Sequence, residues 1–112
     1  MVSNTNIERA MRFIEENLDK PLTLAEVSKE SGMSKYHFAR IFKAVTGKTF
    51  KTYHNKSRIE AAKNLLRNKG TRVTEVCYEV GFNDLSYFDR SFRHFEGMNP
   101  SSYQKMVQRL DR

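Results

Sequence analysis

Two segments of this 112-residue chain repeat one pattern at a fixed spacing. The first runs Val27-Ser28, Gly32, Phe38-Ala39-Arg40-Ile41-Phe42-Lys43, Gly47 and Tyr53. The second runs Val76-Cys77, Gly81, Phe88-Asp89-Arg90-Ser91-Phe92-Arg93, Gly97 and Tyr103. Val27 to Val76 and Gly32 to Gly81 are 49 positions apart, and from Phe38 and Phe88 onward the offset is 50. The second copy therefore carries one extra residue after its glycine. Each copy reads as helix, glycine turn, helix, so the chain must place two similar helix pairs. Its length suits one domain or two small lobes that share a helix.

The periodicity predicts helices throughout, and no apolar-polar alternation competes for a strand. Ile7, Ala10, Met11, Ile14 and Leu18 define a first helix over about 5–18. Thr23-Leu24-Ala25-Glu26 matches a capping box for the second, which Gly32 ends. Ser34 caps the third, which Gly47 stops. Thr49 opens the fourth, which frays by Lys69-Gly70; its nineteen or so residues would span about 28 Å. Val73, Val76, Cys77 and Val80 face inward from the fifth helix. Leu85, Phe88, Phe92 and Phe95 do so from the sixth. Pro100, behind Asn99, opens the seventh, with Tyr103, Met106, Val107 and Leu110 on it. Arg72, the counterpart of Thr23, offers no such cap. The expected fold is all-α: seven helices in two helix-turn-helix lobes joined by a long central linker helix. Residues 1–112 form a single domain, with lobe 1 over about 5–48, the linker over about 49–69 and lobe 2 over about 70–109.

A helix-turn-helix needs a small residue in its first helix, a turn tolerant of positive φ, and a second helix with an inner apolar and an outer polar face. Ser28 and Cys77 are the small residues, and Gly32 and Gly81 make the turns. Phe38, Ile41, Phe42 and Val45 point inward from the first copy's second helix. Tyr36, Ala39, Arg40 and Lys43 are left on its outer face, with Lys35 at its start. Ser86, Asp89, Arg90 and Arg93 occupy the same positions in the second copy. An arginine there can bond guanine O6 and N7 together, whereas Lys35, Lys43 and Arg93 near the helix ends suit phosphates. Tyr36 can pack on a thymine methyl or bond a phosphate, and the sequence leaves both open. An intramolecular ion pair is the alternative role for Arg40 or Arg90, and for Arg90 it is a real competitor because Asp84 and Asp89 are close in sequence.

Charge supports the same reading. The net +7 is concentrated: residues 1–34 carry −2, residues 35–72 carry +10 and residues 73–112 carry −1. A field of that sign in the middle third favours a polyanion. A solvated basic helix would give the same count, and a helical interaction module whose basic patch meets an acidic protein is the competing function. His37, His54 and His94 are isolated and no nucleophile-base set or phosphate loop is present, so no catalytic residue, metal site or cofactor is expected. One cysteine permits no internal disulfide. No signal peptide or membrane span is visible.

On these residues the chain resembles the DNA-binding domain of the AraC/XylS family of bacterial transcription regulators. The likeness rests on Arg58-Ile59, Ala62, Leu65-Leu66, Val76-Cys77, Gly81-Phe82, Ser86-Tyr87-Phe88-Asp89-Arg90-Ser91-Phe92 and Gly97-Met98-Asn99-Pro100. Ser34, Arg40, Phe42-Lys43 and Gly47 extend it into the first copy, and it covers about 7–107. The resemblance implies a sequence-specific binder of double-stranded DNA that places two recognition helices in successive major grooves. It implies an activator, RNA polymerase as a partner, and a cytoplasmic, nucleoid-associated location. Ser34, Lys35, Tyr36, Ala39, Arg40 and Lys43 would contact DNA from the first copy; Ser86, Tyr87, Asp89, Arg90 and Arg93 would do so from the second. Two departures stand out. Ala39 is short where relatives often carry a longer polar reader, and Asp84 and Asp89 make the second reading face less cationic. Many family members also carry an N-terminal effector or dimerisation domain. A stand-alone regulator and a fragment of a longer chain both fit, and the fragment is the reading we lean to.

Overall fold

Five of the helices begin at a capping side chain. In a computed structural model that describes residues 4–111, Thr23 Oγ1 accepts from Glu26 N at 3.2 Å while Glu26 Oε1 accepts from Thr23 N at 3.3 Å. That reciprocal pair satisfies two of the donors a helix N-terminus leaves open. It starts α2, Leu24–Ser31, after α1, Asn4–Glu16. Ser34 caps α3, Lys35–Thr46, by accepting from His37 N at 3.2 Å. Thr49 accepts from Thr52 N at 3.2 Å ahead of α4, Phe50–Leu66. No side chain caps α5, Val73–Glu79, at Arg72. Asp84 and Asn99 cap α6, Leu85–Glu96, and α7, Pro100–Leu110. These seven α-helices, with no strand among the described residues, are the expected all-α arrangement of two helix-turn-helix lobes.

The chain divides into two units, Met1–His54 and Asn55–Arg112, with the division inside α4. In the first, Ile7, Ala10 and Ile14 of α1 meet Val27 of α2 and Phe38 and Phe42 of α3, all fully buried. The two phenylalanine rings lie 5.2 Å apart, and Tyr53 of α4 meets Phe42 edge-on at 5.2 Å. Such aromatic pairs add about 0.5–1.5 kcal/mol beyond their burial. The second unit packs Ile59, Ala62 and Leu66 of α4 against Val76, Cys77, Phe88, Phe92, Tyr103 and Val107. Phe92 bridges Phe88 at 5.9 Å and Tyr103 at 5.4 Å. Lys63 is held there at 3.1 Å from Glu96 and 3.4 Å from Glu60.

The two turns share one hydrogen-bond pattern. Met33 N reaches Ser28 O at 3.1 Å, and Phe82 N reaches Cys77 O at 3.0 Å. Gly32 and Gly81 sit between them at φ 77° and 107°. A side chain at Gly32 would meet nothing within 4 Å, so backbone conformation alone asks for glycine there. The extra residue of the second copy falls between Gly81 and Asp84, which restores the register of the caps.

Several boundaries differ from expectation. Helix α1 stops at Glu16, because the Asn17 side chain turns back to donate to Phe13 O at 2.8 Å. Helix α4 has 17 residues rather than nineteen. Thr49 stays outside it as a cap, and Arg67 N and Asn68 N bond back three residues, to Asn64 O and Leu65 O. Gln108 of α7 donates to Leu66 O at 3.1 Å and Asn68 O at 3.2 Å, which fixes that end. Val45, Leu85, Met106 and Leu110 keep 39% to 73% of their surface exposed. Leu85 and Leu110 are terminal helix residues, and Thr46 rather than Val45 folds back on α3, donating to Phe42 O at 2.7 Å.

Candidate nucleic-acid interface

The inner phenylalanines of α3 fix which of its residues face out. Phe38 and Phe42 occupy one stripe, so Lys35, Tyr36, Arg40 and Lys43 lie exposed on the other side, with Ala39 half-buried between them. Tyr36 is 79% exposed, and the Arg40 guanidinium carbon stands 6.0 Å from its ring centre. Arg40 makes no ion pair among the described residues. Its five donors are therefore available to a planar acceptor pair. Ser34, at the head of the helix, uses its oxygen for the cap and keeps its O–H to donate.

Beside this face lies an open groove of about 480 Å³. Leu24 of α2, Ala39 of α3 and Phe50 of α4 line it together with Tyr36, Thr49 and the basic residues Arg40, Lys43 and Lys51. Arg40, Lys43 and Lys51 are exposed. Sequence reasoning placed Ala39, Arg40 and Lys43 together but missed Leu24, Phe50 and Lys51, which come from two other helices and carry no shared local signal.

The second face is built differently. Ser86, Arg90 and Arg93 are exposed, and Asp89 is half-buried. Asp84 does not pair with Arg90. Its Oδ1 accepts from Ser86 N at 2.9 Å and Tyr87 N at 3.3 Å, a cap that its register with Ser34 could have signalled. Asp89 does not pair with Arg90 either; it takes Arg93, one turn on, at 2.9 Å. Arg90 is left over the ring of Tyr87, 5.9 Å from its centre, and in no ion pair among the described residues.

Tyr87 is half-buried rather than fully outward. Its ring meets Phe82 edge-on at 5.8 Å, and its hydroxyl accepts from the Asn55 side chain at 2.6 Å. Both faces thus set an aromatic ring beside the arginine, but from different positions: Tyr36 precedes Arg40 by four residues and Tyr87 precedes Arg90 by three. Tyr36 projects freely, while Tyr87 is anchored. Asn55 was not among the residues singled out from the sequence.

Among the described residues no group of three or more His, Cys, Asp or Glu side chains could hold a metal ion, and no helix is long and apolar enough to cross a membrane. Cys77 is buried in the second core, where burial and then the charge of Asp84 push its thiol up from the ordinary value.

A family profile described as a helix-turn-helix domain matches residues 27–106. The transposon Tn10 TetD protein of Escherichia coli is 33% identical over 101 residues, covering 90% of this chain and 73% of that protein. The transcriptional activator Btr of Bacillus subtilis is 33% identical over 103 residues, covering 92% of this chain and 20% of that protein. Three of the curated relatives, Btr included, are much longer, and the chain spans only 20% to 36% of their length. Among solved structures, the C-terminal domain of the two-component response regulator yesN from Fusobacterium nucleatum superposes with a TM-score of 0.82 at 30% identity. That match covers 91% of this chain and 99% of that one.

Proposed function

Since this chain belongs to the AraC-type family of helix-turn-helix domains, we propose that it is the sequence-specific DNA-binding part of a transcription regulator. The observation that carries this is the repeated exposure of an arginine in no ion pair among the described residues, Arg40 on α3 and Arg90 on α6, on the outer face of the second helix of each motif. In this reading both helices enter major grooves. Arg40 and Arg90 read guanine edges, while Lys35, Lys43 and Lys51 hold phosphates. Ser34 and Ser86, at the helix starts, donate to the backbone. Tyr36 and Ala39 meet base edges. Tyr87 positions Arg90, and Asp89 holds Arg93.

The direction of regulation is proposed as activation, after the printed name of Btr. RNA polymerase and an effector or dimerisation domain ahead of residue 1 are proposed partners. A helical module that meets an acidic protein has no observation in its favour beyond the charge.

Salt titration of binding to a random duplex tests the reading. Affinity should fall steeply with salt, by about 0.9 log units per log unit for each phosphate neutralised. Absence of duplex binding at low salt would end it.

A further inference from the structure

The short side chain at Ala39 opens a feature that the double arginine reading does not use. We propose that the groove lined by Ala39, Leu24 and Phe50 is a seat for the 5-methyl group of a thymine in the bound DNA; the inference rests on the DNA-binding reading above.

Three observations select that occupant. Leu24, Ala39 and Phe50 give the groove its apolar surface beside Tyr36 and Thr49, and Ala39 itself has no polar side-chain atom to answer a base donor or acceptor. Of the groups that base pairs display in the major groove, the thymine methyl is the apolar one. The same lining carries Arg40, Lys43 and Lys51, and that positive charge suits an apolar spot carried between phosphates rather than a neutral peptide or a free hydrocarbon. Finally, the groove lies beside Arg40 on the same helix face. A thymine seated on Ala39 would neighbour the base pair that Arg40 reads. The groove volume of about 480 Å³ far exceeds one methyl and leaves room beside it.

The short residue at 39 is then a reader in its own right. A long polar side chain there would cover the apolar surface and replace methyl recognition with hydrogen bonding.

The experiment uses the intact chain and the duplex it selects from a random pool. Each thymine in that duplex is replaced in turn by deoxyuridine, which removes only the methyl. One thymine next to the base pair sensitive to Arg40→Ala should lose about fourfold in affinity, the burial value of one methyl-sized group. Ala39→Gln should abolish that thymine-over-uracil preference while leaving the salt dependence of binding intact. The proposal is overturned if every single replacement stays within about twofold, or if the preference survives in Ala39→Gln, which would give the groove to another occupant. If no duplex is enriched at any salt, the DNA-binding reading itself fails and takes the groove with it.

Discussion

The Asn55 side-chain amide donates a 2.6 Å hydrogen bond to the hydroxyl of Tyr87, 32 residues along the chain. Phe82 braces the same ring, and Arg90 lies over it. Arg90 is therefore held by a ring that is itself held. Arg40, over the freely projecting Tyr36, lacks such an anchor.

Asn55→Ala and Tyr87→Phe should each loosen that anchor. Losing one part-buried hydrogen bond should cost about 1 kcal/mol of stability. Discrimination at the base pair assigned to Arg90 should drop by severalfold, while affinity for random duplex stays unchanged. Competition binding with single-base variants of the selected duplex reads this. Equal weakening on every sequence would make the contact structural only.

Two of the helix starts in the second unit make opposite predictions. Asp84→Ala removes a side chain that accepts two amide N–H groups, and should cost about 1 kcal/mol. Arg72 occupies an extended cap position, φ −92° and ψ 139°, with no side-chain bond. Arg72→Ser should stabilise α5 by about 0.5–1 kcal/mol. Chemical denaturation compares both with the parent chain.

These caps also mark how far the sequence could be read. Thr23, Ser34 and Asn99 were legible because a cap is a code over four adjacent residues. The Phe38–Phe42 and Phe88–Phe92 pairs were legible because burial follows helical period. Asp84 and Asp89 stood as alternative partners for Arg90 and neither takes it, since proximity in sequence does not say which donor a carboxylate will take. The Asn55–Tyr87 bond and the groove at Ala39 were invisible. Both join residues from separate helices, and only packing brings them together.

Asp89 neutralises Arg93 across an exposed helix face. Such a pair contributes little to stability, about 0.3–0.5 kcal/mol. Asp89→Asn should leave the melting temperature nearly unchanged and free Arg93 for phosphate. Binding to random duplex should tighten, and the salt slope should steepen by about one phosphate's worth. An unchanged slope would place Arg93 away from the backbone.

Lys63 supplies the pH dependence. Burial pulls its pKa down, but the hydrogen bond to Glu96 and the charges of Glu60 and Glu96 outweigh this and raise it. A raised ammonium pKa gives stability that is fully present below the unfolded value of 10.5 and is lost as pH rises through the folded one. Stability should hold through neutral pH and fall at strongly alkaline pH, with Lys63→Met showing a shallower fall there. Denaturation midpoints across that range check it.

The central claim is that one chain reads DNA through two unlike heads. Selection of binding sites from random duplex tests it most directly. The account predicts an enriched sequence with two different blocks, centred about 10 base pairs apart as successive major grooves require. Arg40→Ala should relax one block and Arg90→Ala the other. A pool that yields no enriched sequence, or one block indifferent to both arginines, would contradict it.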